Sequence, residues 1–295
     1  MSQEKVMTFT EHLRELRTRL KYCVIALILA TLVAYLFSDI LFVLLAQPLV
    51  RAWADAGLGP PKMHFANPIE PFFTYLKISL VGGIFAASPV VFYQLWKFVA
   101  PGLYENEKKY AIPFAAVSAI MFIGGAAFGY FIVFPYGFQF FLSFAKDNMG
   151  SMQKLLGGLV NVSVGKPFEL RPTLMMGEYF GLVWRLLLAF GVVFELPLVI
   201  VFLSMVGLVN HKMLWRFNRY FIVIAFIISA LLTPPDVLTQ LMMSGPLIVL
   251  YNLSILLAWF FHKRREQRLA AMAATTAEGA PEDEATVIDD RGDER

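Results

Sequence analysis

Six apolar stretches punctuate the chain, near residues 21–37, 73–96, 111–142, 179–206, 219–234 and 238–261. Each is close to the ~20 apolar residues that carry a helix across a hydrocarbon core about 30 Å thick. The pattern predicts an all-α membrane protein of six transmembrane helices. The first stretch begins too far from the start, and lacks a following small-residue cleavage site, to read as a signal peptide. Upstream of it, Thr8 and Glu11 have capping-box spacing, and Leu13, Leu16 and Leu20 share one face of an amphipathic helix. Residues 39–54 read as a short interfacial helix broken at Pro48. The loop at 143–178 is long and contains a β-prone stretch, Val160 to Leu170.

Proline recurs within the stretches, at Pro89, Pro113, Pro135, Pro197 and Pro246. Each deletes a backbone hydrogen bond and favours a bend. Several proline-kinked spans suit a concave bundle. The fifth stretch, Arg219 to Pro234, spans only about 24 Å by helical rise, short enough to favour local bilayer thinning.

Lysine and arginine set the expected orientation. Lys5, Arg14, Arg17, Arg19 and Lys21 precede the first stretch; Lys97, Lys108 and Lys109 lie between the second and third; Lys212, Arg216 and Arg219 lie between the fourth and fifth; Lys263, Arg264, Arg265 and Arg268 follow the sixth. The alternate loops are longer and poorer in cations, so both termini are expected in the cytoplasm. Composition agrees: 58% hydrophobic, 16% charged and a mean hydropathy of +0.63, against about a quarter charged in soluble domains. Residues 269–295 hold eight acids and two arginines. They read as a disordered acidic cytoplasmic tail after a membrane domain of residues 1–268. The basic body then points to cytoplasmic loops and the bilayer rather than to nucleic acid.

Few residues could carry chemistry. Cys23 is the only cysteine, which excludes an internal disulfide and a cysteine-based metal site. His12, His64, His211 and His262 all fall in aqueous or interfacial segments. No HExxH, intramembrane Gly-Asp or phosphate loop occurs, so no catalytic residues, metal or cofactor are expected. Gly125 and Gly129 form one GxxxG, suited to helix packing.

Glu195 stands out because it falls near mid-bilayer, where an ionisable group costs at least ~2.5–3.5 kcal/mol. It can be a structural strut, a partner or substrate site, or a proton site. Arg185, about 15 Å away along the same helix, is too distant to pair with it and reads as snorkelling to the outer interface. Glu15 and Glu107 lie at the cytoplasmic ends of spans one and three. Glu15 can simply pair with Arg19 at i,i+4, or share a solvated face with Glu11; Glu107 can favour a helix N-terminus. Together they could also form a carboxylate pair that prefers guanidinium to ammonium, because of its bidentate fork.

Four motifs share their order and spacing with one family: His12-Leu13-Arg14-Glu15-Leu16-Arg17; Phe98-Val99-Ala100-Pro101-Gly102-Leu103-Tyr104 with Glu107-Lys108-Lys109; Phe194-Glu195-Leu196-Pro197; and Leu232-Thr233-Pro234-Pro235-Asp236-Val237. Across residues 8–262 the chain resembles the TatC family, the multispanning component of the twin-arginine protein translocase. The long loop at 143–178 and the acidic tail are the departures. The resemblance implies a receptor for twin-arginine signal peptides of folded proteins, in a bacterial or archaeal cytoplasmic inner membrane. It implies transport driven by the proton-motive force, TatA-like and TatB-like single-span partners, and self-association in a larger complex. It places Glu15, Glu107, Arg17, Pro101, Leu103 and Tyr104 at the signal-peptide site. Glu195, Thr233 and Gln240 would form an intramembrane polar site for a partner helix, and Pro48, Pro234, Pro235 and Asp236 belong to outer turns. The alternative is a proton-coupled small-solute transporter using Glu195, disfavoured by the lack of an inverted repeat and of a second midplane charge. An intramembrane enzyme would need a nucleophile–base or metal set that is missing.

Overall fold

The computed structural model describes residues 9–99, 111–143, 172–232 and 237–278. Six helices in it are long and apolar enough to cross a membrane: Thr10–Leu36, Glu70–Val99, Ile112–Ser143, Met176–Val206, His211–Leu232 and Thr239–Phe260. These are spans one to six.

The centre of the bundle is built from spans three, four and six. Phe134, Val183, Phe190, Met243, Leu247 and Ala258 are buried there. Close approach depends on small residues, because helices in lipid gain little from hydrophobic exclusion and associate through packing. The Gly125–Gly129 pair does this between spans three and four. A Cβ on Gly125 would come 2.8 Å from the Phe194 Cβ, and one on Gly129 would come 2.7 Å from the Phe190 ring. Span one is peripheral, with no buried residue across its most apolar stretch. It leans on span two through Gly83, where a Cβ would lie 2.7 Å from the Thr31 Cα. The amphipathic N-terminal segment and span one form one continuous helix, Phe9–Leu36. Thr8, the proposed cap, lies outside the described residues.

Several prolines are accommodated where the sequence pattern suggested a break. The helix after span one runs unbroken from Ser38 to Asp55 with Pro48 inside it, which corrects the expectation of a break. The carbonyl that an amide at 48 would have satisfied belongs to Leu44, and the Tyr130 hydroxyl donates to it at 2.6 Å. The Tyr179 hydroxyl donates to the next carbonyl, Leu45, at 2.7 Å. In span two, the Ser88 hydroxyl donates at 2.7 Å to Phe85, whose carbonyl Pro89 leaves free. In span three, a π-helical turn at Gly129–Val133 precedes Pro135. Widening the helix there takes up the strain that proline imposes on the preceding turn.

Two boundaries also differ from expectation. The fifth helix starts at His211, not near 219, and its 22 residues span roughly 33 Å. Lys212, Arg216 and Arg219 occupy its first turns, and their apolar stems can lie in the bilayer while the charges reach headgroups. Bilayer thinning is therefore not required. The last helix runs from Val237 to Glu278. It extends past Arg268 because residues 269–278, Leu-Ala-Ala-Met-Ala-Ala-Thr-Thr-Ala-Glu, are rich in the best helix former. The remainder of the acidic tail lies outside the described residues, as does the stretch Val160 to Leu170.

The connections at the end of the bundle where span two starts are tied by one acid that sequence reasoning passed over. Glu70 accepts the Ala66 amide at 2.8 Å and the Gly177 amide at 2.6 Å. It thereby joins the starts of spans two and four. Beside it, Met63–His64 (β1) pairs in parallel with Leu174–Met175 (β2).

Candidate functional site

Two polar clusters sit on this scaffold. The first lies where the N-terminal part of span one meets the end of span two. His12, Glu15 and Arg19 recur at helical spacing on one face of span one; Gln94 and Phe98 do so on span two. The His12 ring stacks on Phe98 at 4.4 Å. Arg19 Nη2 donates to Glu15 Oε1 at 3.0 Å and Nη1 donates to Gln94 Oε1 at 3.2 Å. Side-chain exposure is only 16% for Glu15 and 20% for Arg19, so the pair is better shielded than an ordinary surface ion pair. Glu15 Oε2 and Arg19 Nε are both buried and have no hydrogen-bond partner among the described residues. Glu15 thus takes the i,i+4 pairing left open by the sequence. Arg17, two residues on, is exposed on another face. Glu107, Pro101, Leu103 and Tyr104 lie outside the described residues, in the segment that follows directly from span two.

The second cluster is inside the bundle. Span four is two helices, Met176–Phe194 and Leu196–Val206, meeting at Glu195. Pro197 starts the second helix, where its missing amide costs least. The backbone stays bonded across the junction: Glu195 N–H donates to Val192 at 3.1 Å, and its carbonyl accepts Val199 N–H at 2.9 Å. Ser118 of span three faces the carboxyl, and its hydroxyl can donate to it. Ser118, fully buried at 0% exposure, in turn accepts Trp96 Nε1 of span two at 2.8 Å. Trp96 is fixed by ring contacts with Phe114 at 4.8 Å and Phe202 at 4.9 Å. One carboxyl oxygen, Oε1, is buried and has no partner among the described residues. Arg185 does not reach it; its Nε donates to the Gly181 carbonyl at 2.7 Å.

The remaining expected members are dispersed. Gln240, in the first turns of the last helix, donates to the Phe226 carbonyl of span five at 3.0 Å. Its amide is turned to span five, and the structure does not join it to Glu195. Pro48 is buried in its helix. Thr233, Pro234, Pro235 and Asp236 lie outside the described residues. Sequence reasoning missed Ser118, Trp96 and Gln94. The available signal for Ser118 was a lone hydroxyl in the apolar run Ala115 to Met121. For Gln94 it was an amide one turn before the end of span two.

These features define a multi-pass helical membrane protein with one carboxylate at the rim and another within the bundle, each with a buried oxygen that has no donor among the described residues. The description "Sec-independent protein translocase protein (TatC)" belongs to a family model that matches residues 11–246. Relatives of that name include proteins from Desulforapulum autotrophicum, 44% identical over 90% of this chain and 88% of the relative, and from Aquifex aeolicus, 36% identical over 88% and 98%. A crystal structure described as the twin arginine translocase receptor TatC superposes with a TM-score of 0.66 at 37% identity, covering 84% of this chain and 98% of the other. The chain belongs to the TatC family of Sec-independent protein translocase proteins.

Proposed function

We propose that this chain is the receptor that captures twin-arginine signal peptides of folded proteins and nucleates the translocase around them. The observation that carries the proposal is the Glu15 carboxylate. It is held between spans one and two, near the end of span two from which the segment bearing Glu107 follows in sequence, with a buried oxygen that no described residue satisfies. A guanidinium supplies planar, paired N–H donors to such a group, so an arginine pair can be gripped by the two acids together. The charge bias of the loops supports placing this end, and both termini, on the cytoplasmic side of a bacterial or archaeal inner membrane. A solved relative is described as the twin-arginine translocase receptor. Pro101, Leu103, Tyr104 and Arg17 would complete the peptide site.

Glu195 fits a docking role. Its carboxyl faces the Ser118 hydroxyl and has spare capacity to accept a polar group from a TatA-like or TatB-like single-span helix. Thr233 and Gln240 would contribute from the far end of spans five and six. Photo-crosslinking of a twin-arginine peptide to vesicles containing the full chain tests the receptor role. Crosslinks beside Glu15 and Glu107 that vanish when the peptide's arginines become glutamines are expected; crosslinks indifferent to that change would overturn it.

A further inference from the structure

Arg19 already occupies the place a ligand's arginine is expected to take, yet it occupies only half of it. Left alone, an arginine four residues after a glutamate can lay both N–H groups of its fork against both carboxylate oxygens. Here it does not: Nη2 reaches Glu15 Oε1, while Nη1 is drawn off to Gln94 on span two. The result is a buried Glu15 Oε2 without a donor among the described residues. A buried acceptor left unmade is costly and is satisfied by any well-placed N–H. A carboxylate has about four lone-pair sites, so a second guanidinium can bind without expelling the first.

We propose that Arg19 and Gln94 are positioning and specificity-determining residues for the peptide site, an inference that rests on the receptor function above. Gln94 holds Arg19 off one oxygen of Glu15 and keeps that oxygen free for the peptide's arginine. Arg19 meanwhile neutralises Glu15. An incoming cation then meets a nearly neutral pair and must be recognised by its hydrogen-bond geometry more than by its charge. That favours guanidinium, with its planar fork, over the compact and strongly hydrated ammonium of lysine.

The test uses vesicles containing the full chain and two photo-crosslinking peptides, one with an Arg-Arg pair and one with Lys-Lys, titrated against wild type, Glu15→Gln, Gln94→Leu, Gln94→Glu, Arg19→Gln and the Arg19→Gln/Gln94→Leu double variant. Gln94→Leu frees Arg19 to close over both oxygens and is expected to weaken Arg-Arg binding roughly tenfold, the scale of one hydrogen bond to a charged group. Gln94→Glu keeps an anchor for Arg19 and is expected to retain binding. Arg19→Gln bares the carboxylate and should narrow the preference for Arg-Arg over Lys-Lys. In that background, Gln94→Leu should have no further effect. Equal losses from Gln94→Leu with and without Arg19, or an unchanged Arg/Lys preference in Arg19→Gln, would overturn the inference. If wild type binds and Glu15→Gln does not, those outcomes reject the positioning role alone. If Glu15→Gln binds like wild type, the receptor site itself is misplaced.

Discussion

The two carboxylates solve opposite problems with the same side chain. Glu15 lies on span one, a peripheral helix, beside an arginine 3.0 Å away. Glu195 lies at a helix break between well-packed neighbours and faces a hydroxyl that is itself anchored by an indole. A cation partner at the rim offsets the carboxylate's charge and suits recognition by hydrogen-bond geometry. Inside the bundle a charge is expensive, and neutral donors let the group persist as a polar contact. Both acids leave one oxygen without a donor among the described residues. The difference in their surroundings separates a site that selects guanidinium from a site that accepts a polar group of a partner helix.

Substitutions can break that contrast, and the largest effect is expected at the rim acids. Glu107→Gln or Glu15→Gln should abolish export of folded twin-arginine substrates while the protein still accumulates in the membrane, each removing a charge-assisted bond worth ~1.5–3 kcal/mol. Normal export by a well-expressed Glu107→Gln chain would contradict the assignment. At Glu195 the amide should be tolerated, because docking needs a hydrogen-bonding group and not a charge. Glu195→Gln is expected to keep much of the transport and of partner co-purification, and Glu195→Leu to lose both. Complete loss of transport in Glu195→Gln, with co-purification intact in Glu195→Leu, would instead favour a proton carrier.

Smaller changes sharpen the comparison. Gly83→Val inserts a side chain where even a Cβ meets the Thr31 backbone. Overpacking of this kind costs ~1–3 kcal/mol, so thermal unfolding in detergent should fall by several degrees, and peptide crosslinking at Glu15 should weaken because the rim cluster spans this interface. Unchanged crosslinking would show that the cluster does not depend on how span one is seated. Ser118→Ala removes the neutral donor to Glu195 and is expected to cost ~1 kcal/mol, seen as a slight drop in melting temperature and in partner co-purification. A larger loss than from Glu195→Leu would mean that Ser118, and not the acid, is the docking group.

What sequence reveals divides along the same line as local and distant partners. The six spans were legible because each is a continuous apolar window. Glu195 was legible because an acid in such a window has no cheap explanation, and the Glu15–Arg19 pairing because both residues lie on one helix. Gln94 and Ser118 were not, since each acquires its meaning from a partner on another span. The helix through Pro48 was misread for the same reason: the hydroxyl that compensates its lost bond comes from Tyr130, 86 residues from the Leu44 carbonyl it satisfies. The early end assigned to the last helix came from weighing the acids of the tail above its alanines, which lie first.

The central claim is that Glu15 and Glu107 grip one arginine pair together. Its most direct test is a double-mutant cycle on the affinity of an Arg-Arg peptide for the full chain, using Glu15→Gln, Glu107→Gln and both together. Groups sharing one ligand couple by ~0.5–3 kcal/mol, whereas independent sites add within about 0.5 kcal/mol. A second substitution that costs much less than it does alone is the predicted result; strictly additive losses would place the two acids at separate sites and contradict the account.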